Sequence, residues 1–175
     1  DDKIDTGAMI LNAETAIGTN ESAGELHDRL MQLGSETVTQ TLALLESGKV
    51  MTTIQEDNAE IKTAYKLNKE NCKIDWHQPA SEIHNLIRGL SPYPAAWCFI
   101  SDKGEEWNVK IYQSNIVIEA HTLAVGQLIC TKKELKIAVR DGFIQIESLQ
   151  FPGKKKMNTA EFLNGIQFTA DAKAY

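Results

Sequence analysis

The stretch between residues 96 and 149 limits the possible folds more than any other part of the chain. It contains six short segments rich in branched and aromatic residues, each bounded by Gly, Asp, Asn or Lys: AWCFIS, EWNVKIYQ, NIVIEA, GQLICT, ELKIAV and FIQIESL. Short strands at such spacing are typical of a small closed β-barrel. Arg140-Asp141-Gly142 has the composition of a hairpin turn between the last two strands.

Alternation within one segment predicts which side chains enter the barrel. In KKELKIAVR, Leu135, Ile137 and Val139 share one face, while Lys136 and Arg140 share the other. We expect the apolar face to point inward. Amphipathic helices flank the strands: HQPASEIHNLIRGL, with Ile83, Leu86, Ile87 and Leu90 on one side and a stop at SPYP, and NTAEFLNGI, with an Asn/Thr cap and Phe162, Leu163 and Ile166.

The distribution of charge divides the chain near Lys66. Residues 1–65 contain 4 Lys+Arg and 12 Asp+Glu, whereas residues 66–175 contain 14 and 12. The segment TTIQEDNAEIKTAYKLNKENCK between these parts is polar, carries charges of both signs and has no sustained period. Such a segment is typical of an exposed connector. We therefore expect two structural units.

The first unit has a helical pattern but no sheet to cover it. AMILNAETAI suits an extended segment or short strand, and TNESAGELHDRLMQLGSETVTQTLALLESGK is predicted to be helical, with Asn20 or Ser22 as its cap. Two apolar stripes need a packing partner, so this unit resembles the tail of a larger domain. The stripes are Leu26, Leu30 and Leu33, then Val38, Leu42 and Leu45, with Gly34-Ser35 as a point where the helix can break and Gly48 as a stop.

Composition excludes several classes of protein. The chain has 42% apolar and 24% charged residues, and its longest apolar-rich stretch, PYPAAWCFI, is too short to cross a bilayer. We expect a cytoplasmic protein without membrane contact. Neither a disulfide framework nor a metal site is predicted from the spacing of the cysteines and histidines, which are Cys72, Cys98, Cys130, His27, His77, His84 and His121.

A longer motif adds a family resemblance. The stretch KIDWHQPASEIHNLIRGLSPYPAAW contains, in order, an I-D-W, a P-A, an I-R and a P-x-P-x-A-W. This run resembles the start of the C-terminal domain of methionyl-tRNA formyltransferases. Three further stretches follow the order of that family: DTGAMI with AGELHDRLMQLG, then YKLNKE, then LQFPGKKKMNTAEFLNG. Together they cover nearly the whole chain.

The resemblance implies an α+β chain in three parts. Residues 1–50 would be the end of a Rossmann-like α/β formyltransferase domain, residues 51–72 a linker, and residues 73–175 an OB-like β-barrel with short flanking helices that binds tRNA. The implied reaction is transfer of the formyl group of 10-formyltetrahydrofolate, as co-substrate and without a metal, to the α-amino group of methionyl initiator tRNA. The implied protein is a monomer.

Asp5 is the candidate catalytic residue that the resemblance implies. Folate-dependent formyltransferases place the carboxylate of an Asp-Thr-Gly turn beside an Asn-x-His motif, and Asp5 matches that turn. A carboxylate next to an imidazole raises the imidazole pKa and orients it, while an amide donor polarises the formyl oxygen. The sequence contains no Asn-x-His, which the family places upstream of Asp5. We therefore expect a C-terminal fragment that is inactive alone. Without the surrounding motifs, Asp5 would instead be interpreted as a turn residue whose side chain accepts backbone N–H groups.

The resemblance also implies a tRNA-binding role for clustered cations. The candidates are Lys66, Lys69 and Lys73 in the connector, Lys132, Lys133, Lys136 and Arg140 on one hairpin, and Lys154, Lys155 and Lys156 in a loop. Phosphate binding by such groups is independent of base sequence and weakens with salt. The alternative is an ordinary solvated face. Arg88 can tie its helix to the connector instead, and Trp76, Trp97 and Trp107 are predicted to be core residues rather than base-stacking ones.

Rival interpretations remain open at this point. IDTGAMI also resembles the active-site turn of a retroviral-type aspartic protease, but only four residues precede Asp5 and helices follow it. Sister formyltransferases that act on sugars, and the formyl hydrolase domain of a folate dehydrogenase, share the Asp-Thr-Gly turn and an I-D-W-like segment. The lysines of PGKKKM favour a polyanionic substrate instead. A third alternative is an OB-like RNA-binding module with a helical leader.

Overall fold

The structure, a computed structural model, describes residue 4 and residues 6–55, 62 and 64–175. The chain divides into two compact units. Unit 1 comprises Asp1–Glu21 and Glu25–Lys66, and unit 2 comprises Ser22–Gly24 and Leu67–Tyr175. The division after Lys66 lies at the change of charge and inside the predicted linker.

The principal element of unit 1 is the long helix α1, Ala23–Glu46, of which residues 25–46 belong to this unit. The helix does not break at Gly34-Ser35, where the sequence allowed a break. A single glycine in a helix costs about 1 kcal/mol relative to alanine. The backbone hydrogen bonds of a 24-residue helix offset a cost of this size. Gly48 follows the helix with a φ of 64°, as a stop residue in the left-handed region does.

The apolar stripes of α1 are left largely uncovered within the described residues. No residue of the helix is buried, and Leu30, Val38, Leu42 and Leu45 are each about half exposed. The preceding segment is extended: Met9 and Thr53 form an isolated antiparallel bridge with both N···O distances at 2.8 Å. Arg29 fixes this segment to α1 through Glu21 and the carbonyl oxygen of Ala16.

Unit 2 is built on one antiparallel sheet. Among the described residues it contains seven strands: β1 Ala96–Asp102, β2 Glu105–Val117, β3 Leu128–Cys130, β4 Leu135–Val139, β5 Gly142–Gln150, β6 Met157–Asn158 and β7 Lys173–Ala174. Their order is β3-β4-β5-β2-β1-β7, with β6 paired to β5. The strands β4 and β5 meet at Arg140-Asp141, where the hairpin turn was predicted.

The last strand brings the two ends of this sheet together. β7 pairs with β1, while Lys173 also bridges to Gln127, next to β3. Gly126 lies at this junction with a φ of 84°, and a Cβ there would lie 2.2 Å from the carbonyl oxygen of Ala174. The sheet is therefore a nearly closed barrel, as the sequence predicted.

Two of the predicted strands form a single one. The segments EWNVKIYQ and NIVIEA were expected to be separate strands, but β2 runs from Glu105 to Val117. Its register against β5 shifts between Ile111 and Ser114. A bulge of this kind bends a strand without ending it, so one strand curves where two were expected.

Two helices cover the barrel. α2, Ala80–Leu90, buries Ile83, Ile87 and Leu90 and packs against β2. α3, Thr159–Leu163, starts at Asn158, whose side chain accepts from the Glu161 N–H, and it buries Phe162. Leu135, Ile137 and Val139 are fully buried, as predicted from their alternation. No helix among those described combines the length and apolar character needed to span a bilayer.

Candidate nucleic-acid interface

One row of side chains crosses three strands on the same side of the sheet. Trp97 on β1 pairs directly with Lys110 on β2, and Lys110 pairs with Gln150 on β5. Directly opposed residues of antiparallel strands project to the same face. Lys110 is half-buried, and its ammonium donates to the carbonyl oxygen of Pro94 at 3.3 Å. This row places a cation between an indole ring and an amide.

Two connector lysines join this row through the Trp97 ring. The Nζ atoms of Lys69 and Lys73 lie 5.2 and 5.7 Å from the ring centroid. The indole N–H of Trp97 also donates to the Lys69 carbonyl oxygen at 2.7 Å. Lys73 further lies 5.4 Å from the centroid of Phe99 and 5.8 Å from that of Tyr175. Cation–π attraction thus holds both ammonium groups against the barrel.

The row continues toward the lysine-rich loop after β5. The hydroxyl of Tyr112 donates to Gln150, whose own amide donates to the Lys154 carbonyl oxygen at 2.9 Å. The Nζ atom of Lys156 lies 4.8 Å from the centroid of the Tyr112 ring. We call the set of Lys69, Lys73, Trp97, Lys110, Tyr112 and Lys156 the basic–aromatic face.

The four lysines of this face keep their charge uncompensated. In the part of the chain that the structure describes, none of them forms an ion pair with a carboxylate. Lys69 and Lys156 are exposed, while Lys73 and Lys110 are half-buried. Ammonium groups held in place by aromatic rings and not by carboxylates are available to phosphate oxygens.

A pocket opens within the basic–aromatic face. Its volume is about 320 Å³, and it is lined by Leu67, Asn68, Lys69, Cys72, Pro94, Ala95, Trp97, Asn108 and Lys110. The lining is mostly apolar, with the two lysines and two asparagines as its polar groups. A mostly apolar concavity with a few placed donors is the usual form of a small-ligand site.

The second group of candidate cations lies on another part of the barrel. Lys136 on β4 is opposed by Gln145 on β5, and β5 separates it from β2. Gln145 and Asn115 both donate to Glu147 at 2.9 Å, so a carboxylate lies near Lys136. Lys132 is exposed in the turn before β4, and Arg140 is exposed in the turn after it. We call Lys132, Lys136 and Arg140 the hairpin group.

The remaining candidates have less defined surroundings. Asp5 lies outside the described residues, so its role as the catalytic carboxylate stays a prediction. Lys66 is exposed and belongs to unit 1. Lys154 and Lys155 are exposed in the loop that leads to Lys156. The guanidinium of Arg88 donates to Asn85 of its own helix at 2.8 Å.

The buried polar groups of unit 2 have structural roles. His84 on α2 contacts the Ser114 hydroxyl at 3.1 Å, and burial, together with the charge of Arg88, lowers its pKa. Burial raises the pKa of the Cys98 thiol to about 12 and that of Cys130 to about 11. Such thiols are poor nucleophiles at neutral pH. Within the described residues, no group of three His, Cys, Asp or Glu side chains could hold a metal ion.

Sequence reasoning missed Lys110 and Tyr112 as members of the interface. Both were read only as part of a strand, although Lys110 stands between the buried Val109 and Ile111. That alternation predicts that Lys110 projects outward from the barrel. The tryptophans were expected to be core residues: Trp76 and Trp97 are buried, and Trp107 packs against the core. Trp97 additionally forms a wall of the pocket.

Comparison with known families identifies the domain. The model of the formyl transferase C-terminal domain matches residues 66–167, more than half of the chain. The chain belongs to the formyl transferase C-terminal domain family. This agrees with the resemblance found in the motif that starts at Lys73 and with the barrel of unit 2.

Curated relatives in this formyl transferase family carry one name. A methionyl-tRNA formyltransferase of Flavobacterium johnsoniae is 66% identical over 175 residues, covering 100% of this chain and 56% of the relative. A methionyl-tRNA formyltransferase of Bacteroides fragilis is 42% identical over 172 residues, covering 95% of this chain and 53% of the relative. The chain thus spans about half the length of the relatives it matches.

Solved structures share the fold at lower identity. HypX from Aquifex aeolicus, crystallised with tetrahydrofolic acid, matches with a TM-score of 0.63 at 19% identity, covering 100% of this chain and 32% of HypX. An N-formyltransferase from Helicobacter canadensis, crystallised with folinic acid and dTDP-3-aminofucose, matches with a TM-score of 0.60 at 20% identity. The match covers 90% of this chain and 53% of the N-formyltransferase. These likenesses establish a common fold.

Proposed function

We propose that the chain is the C-terminal part of a methionyl-tRNA formyltransferase. The full enzyme would transfer the formyl group of 10-formyltetrahydrofolate to the α-amino group of methionyl initiator tRNA, in the cytoplasm and as a monomer. The names of relatives that are 66% and 42% identical support this reaction. In this proposal residues 1–50 end the Rossmann-like catalytic domain, residues 51–72 are the linker, and residues 73–175 hold the tRNA.

The observation that carries the tRNA-binding part is the basic–aromatic face. Lys69, Lys73 and Lys156 are held against aromatic rings, and none of the four lysines has a carboxylate partner among the described residues. In the hairpin group, Lys136 is opposed by Gln145, whose amide donates to the Glu147 carboxylate at 2.9 Å. Since a nearby carboxylate weakens phosphate binding, we assign the principal phosphate contacts to the basic–aromatic face. Lys154 and Lys155 extend this face, and Lys66 and the hairpin group contribute secondary contacts.

In this proposal Asp5 is the carboxylate that orients the catalytic imidazole. The imidazole and amide groups of the reaction would come from the part of the relatives that this chain does not span. The chain alone should then give no formyl transfer. Detectable formylation of methionyl-tRNA by the purified chain would show that this division of the site is incorrect.

The experiment that tests the tRNA-binding role measures affinity for methionyl initiator tRNA at two salt concentrations, with an elongator tRNA alongside. Two matched triple variants are compared with the native chain: Lys69→Gln, Lys110→Gln and Lys156→Gln on the basic–aromatic face, and Lys132→Gln, Lys136→Gln and Arg140→Gln in the hairpin group. Both sets remove three positive charges. Log affinity falls as log salt rises, and each lost phosphate contact makes this slope shallower by about 0.7 to 0.9.

The triple variant of the basic–aromatic face should make that slope shallower by about two, and the triple variant of the hairpin group should change it by clearly less. Equal slopes for the two variants would contradict the assignment to the basic–aromatic face. No binding by the native chain at low salt would contradict tRNA holding by unit 2 and favour a small-molecule acceptor. Circular dichroism of each variant checks that the barrel is retained.

A further inference from the structure

The walls of the pocket beside Trp97 are fixed before any ligand arrives. On one side, Asn68 and Asn71 exchange hydrogen bonds between side chain and backbone at 2.8 and 2.9 Å, which fixes the turn that bears Leu67 and Lys69. The Trp97 backbone joins the same turn, with its N–H 3.1 Å from the Cys72 carbonyl oxygen. A preformed cavity loses little ordering entropy on binding.

The opposite wall is equally constrained. Ala95 is buried, and its N–H donates to the Leu90 carbonyl oxygen at 2.9 Å. Lys110 reaches across to the Pro94 carbonyl oxygen, and Asn108 lies two residues before it on the same strand. Lys110 and Asn108 therefore offer N–H donors in a lining that is mostly apolar.

The combination of a mostly apolar lining with two lysines selects one kind of occupant. A nucleotide has a flat aromatic base joined to a phosphate, and its base can occupy the pocket while its phosphate contacts Lys69 or Lys110. Bases in duplex RNA are stacked and cannot enter such a pocket, whereas bases in loops and single-stranded ends can. The lysines alone would bind any polyanion, but the cavity between them fits an unpaired nucleotide.

We propose that the pocket beside Trp97 binds one unpaired nucleotide of the RNA, with its base against the indole ring. This inference rests on the proposed function, since it names the part of the RNA that the basic–aromatic face holds. It adds recognition of an exposed base to phosphate contacts that by themselves read no sequence.

The test uses the full chain and a short single-stranded oligouridylate, with a second strand in which stable abasic spacers replace the bases. Both strands have the same phosphates, so only the base differs. Nitrogen-15 NMR follows the indole N–H signals of the three tryptophans. The Trp97 signal should shift with the intact strand, and the Trp107 signal, from the other aromatic cluster, serves as the internal control. The intact strand should bind at least about fivefold more tightly than the abasic one.

A matched pair of variants locates the effect. Leu67→Glu introduces a carboxylate at the pocket, while Ile118→Glu introduces the same charge at a residue that is 72% exposed and does not line it. Leu67→Glu should abolish the preference for the intact strand, and Ile118→Glu should leave it within about twofold, because Ile118 does not line the pocket and its exposed charge is screened by salt.

Three outcomes are distinguishable. A Trp97 shift with a preference for the intact strand, lost in Leu67→Glu only, supports the pocket. Equal binding of intact and abasic strands with an unmoved Trp97 signal overturns the pocket but leaves phosphate binding, and the proposed function, in place. A chain that binds neither strand nor tRNA at low salt overturns both.

Discussion

Replacing His84 should remove a specific part of the pH dependence of folding. His84 is 8% exposed, its Nδ1 contacts the Ser114 hydroxyl, and its Nε2 has no partner among the described residues. Burial lowers its pKa, with Arg88 adding repulsion. The folded chain therefore resists protonation of a ring that the unfolded chain protonates near pH 6.5.

The direction and size of the effect follow from linkage. Above about pH 6.5 the ring is neutral in both states and contributes its full stability. As the pH falls below that value, the unfolded state binds a proton that the folded state does not, and stability is lost until the folded-state pKa is reached. Between pH 6.5 and 5.5 a single such group lowers the free energy of unfolding by up to about 1 kcal/mol.

The assay is urea unfolding followed by tryptophan fluorescence at these two pH values. Trp76, Trp97 and Trp107 all lie in unit 2, so the signal reports the barrel that contains His84. His84→Gln should lose less stability on acidification than the native chain by up to about 1 kcal/mol. His77→Gln, which removes an exposed histidine of the same unit, is the control. An unchanged acid-induced loss in His84→Gln would refute the reasoning.

Three further outcomes are expected from unit 2. Asp141→Ala should lower the free energy of unfolding by about 1 kcal/mol, because its carboxylate accepts from the N–H of Ala80 at 2.9 Å, and Asp141→Asn should restore most of it in the same urea assay. Gly126→Ala should destabilise the barrel by more than 1 kcal/mol, measured by thermal unfolding, since its Cβ would meet the Ala174 backbone. Cys98 should resist a thiol reagent at pH 8 until the chain unfolds, because burial raises its pKa to about 12, and early labelling of Cys98 by mass spectrometry would contradict this.

The elements of unit 2 were largely predictable because local patterns and packing agree there. Alternation in β4 and the apolar side of α2 both point to the core that the structure contains. The exceptions are places where local signals were ambiguous. Polar residues near Gln113 suggested a strand end. Instead, β2 pairs with both β1 and β5 and continues through a bulge. Gly34 suggested a helix end, but helical hydrogen bonding continues past it.

The interface was harder to predict, because its members are distant in sequence. Lys69 and Lys156 were among the candidates that the resemblance implies, but strand pairing and a loop bring them to one face with Lys110, which was not a candidate. Register between β1, β2 and β5 determines that Lys110 lies between Trp97 and Gln150. No short segment contains that information. The resemblance identified the family, whereas the pocket required the three-dimensional contacts.

The way the barrel closes has a consequence for its association with other chains. β7 is two residues long, yet it occupies the hydrogen-bonding edge of β1 and the approach to β3 at the same time. Tyr175 adds a further pair of backbone bonds with Phe99, each at 2.9 Å. Proteolytic removal of these few residues would uncover two unprotected edges at once, and exposed edges recruit strands from neighbouring molecules. The short closing strand thus protects the barrel against edge-to-edge aggregation.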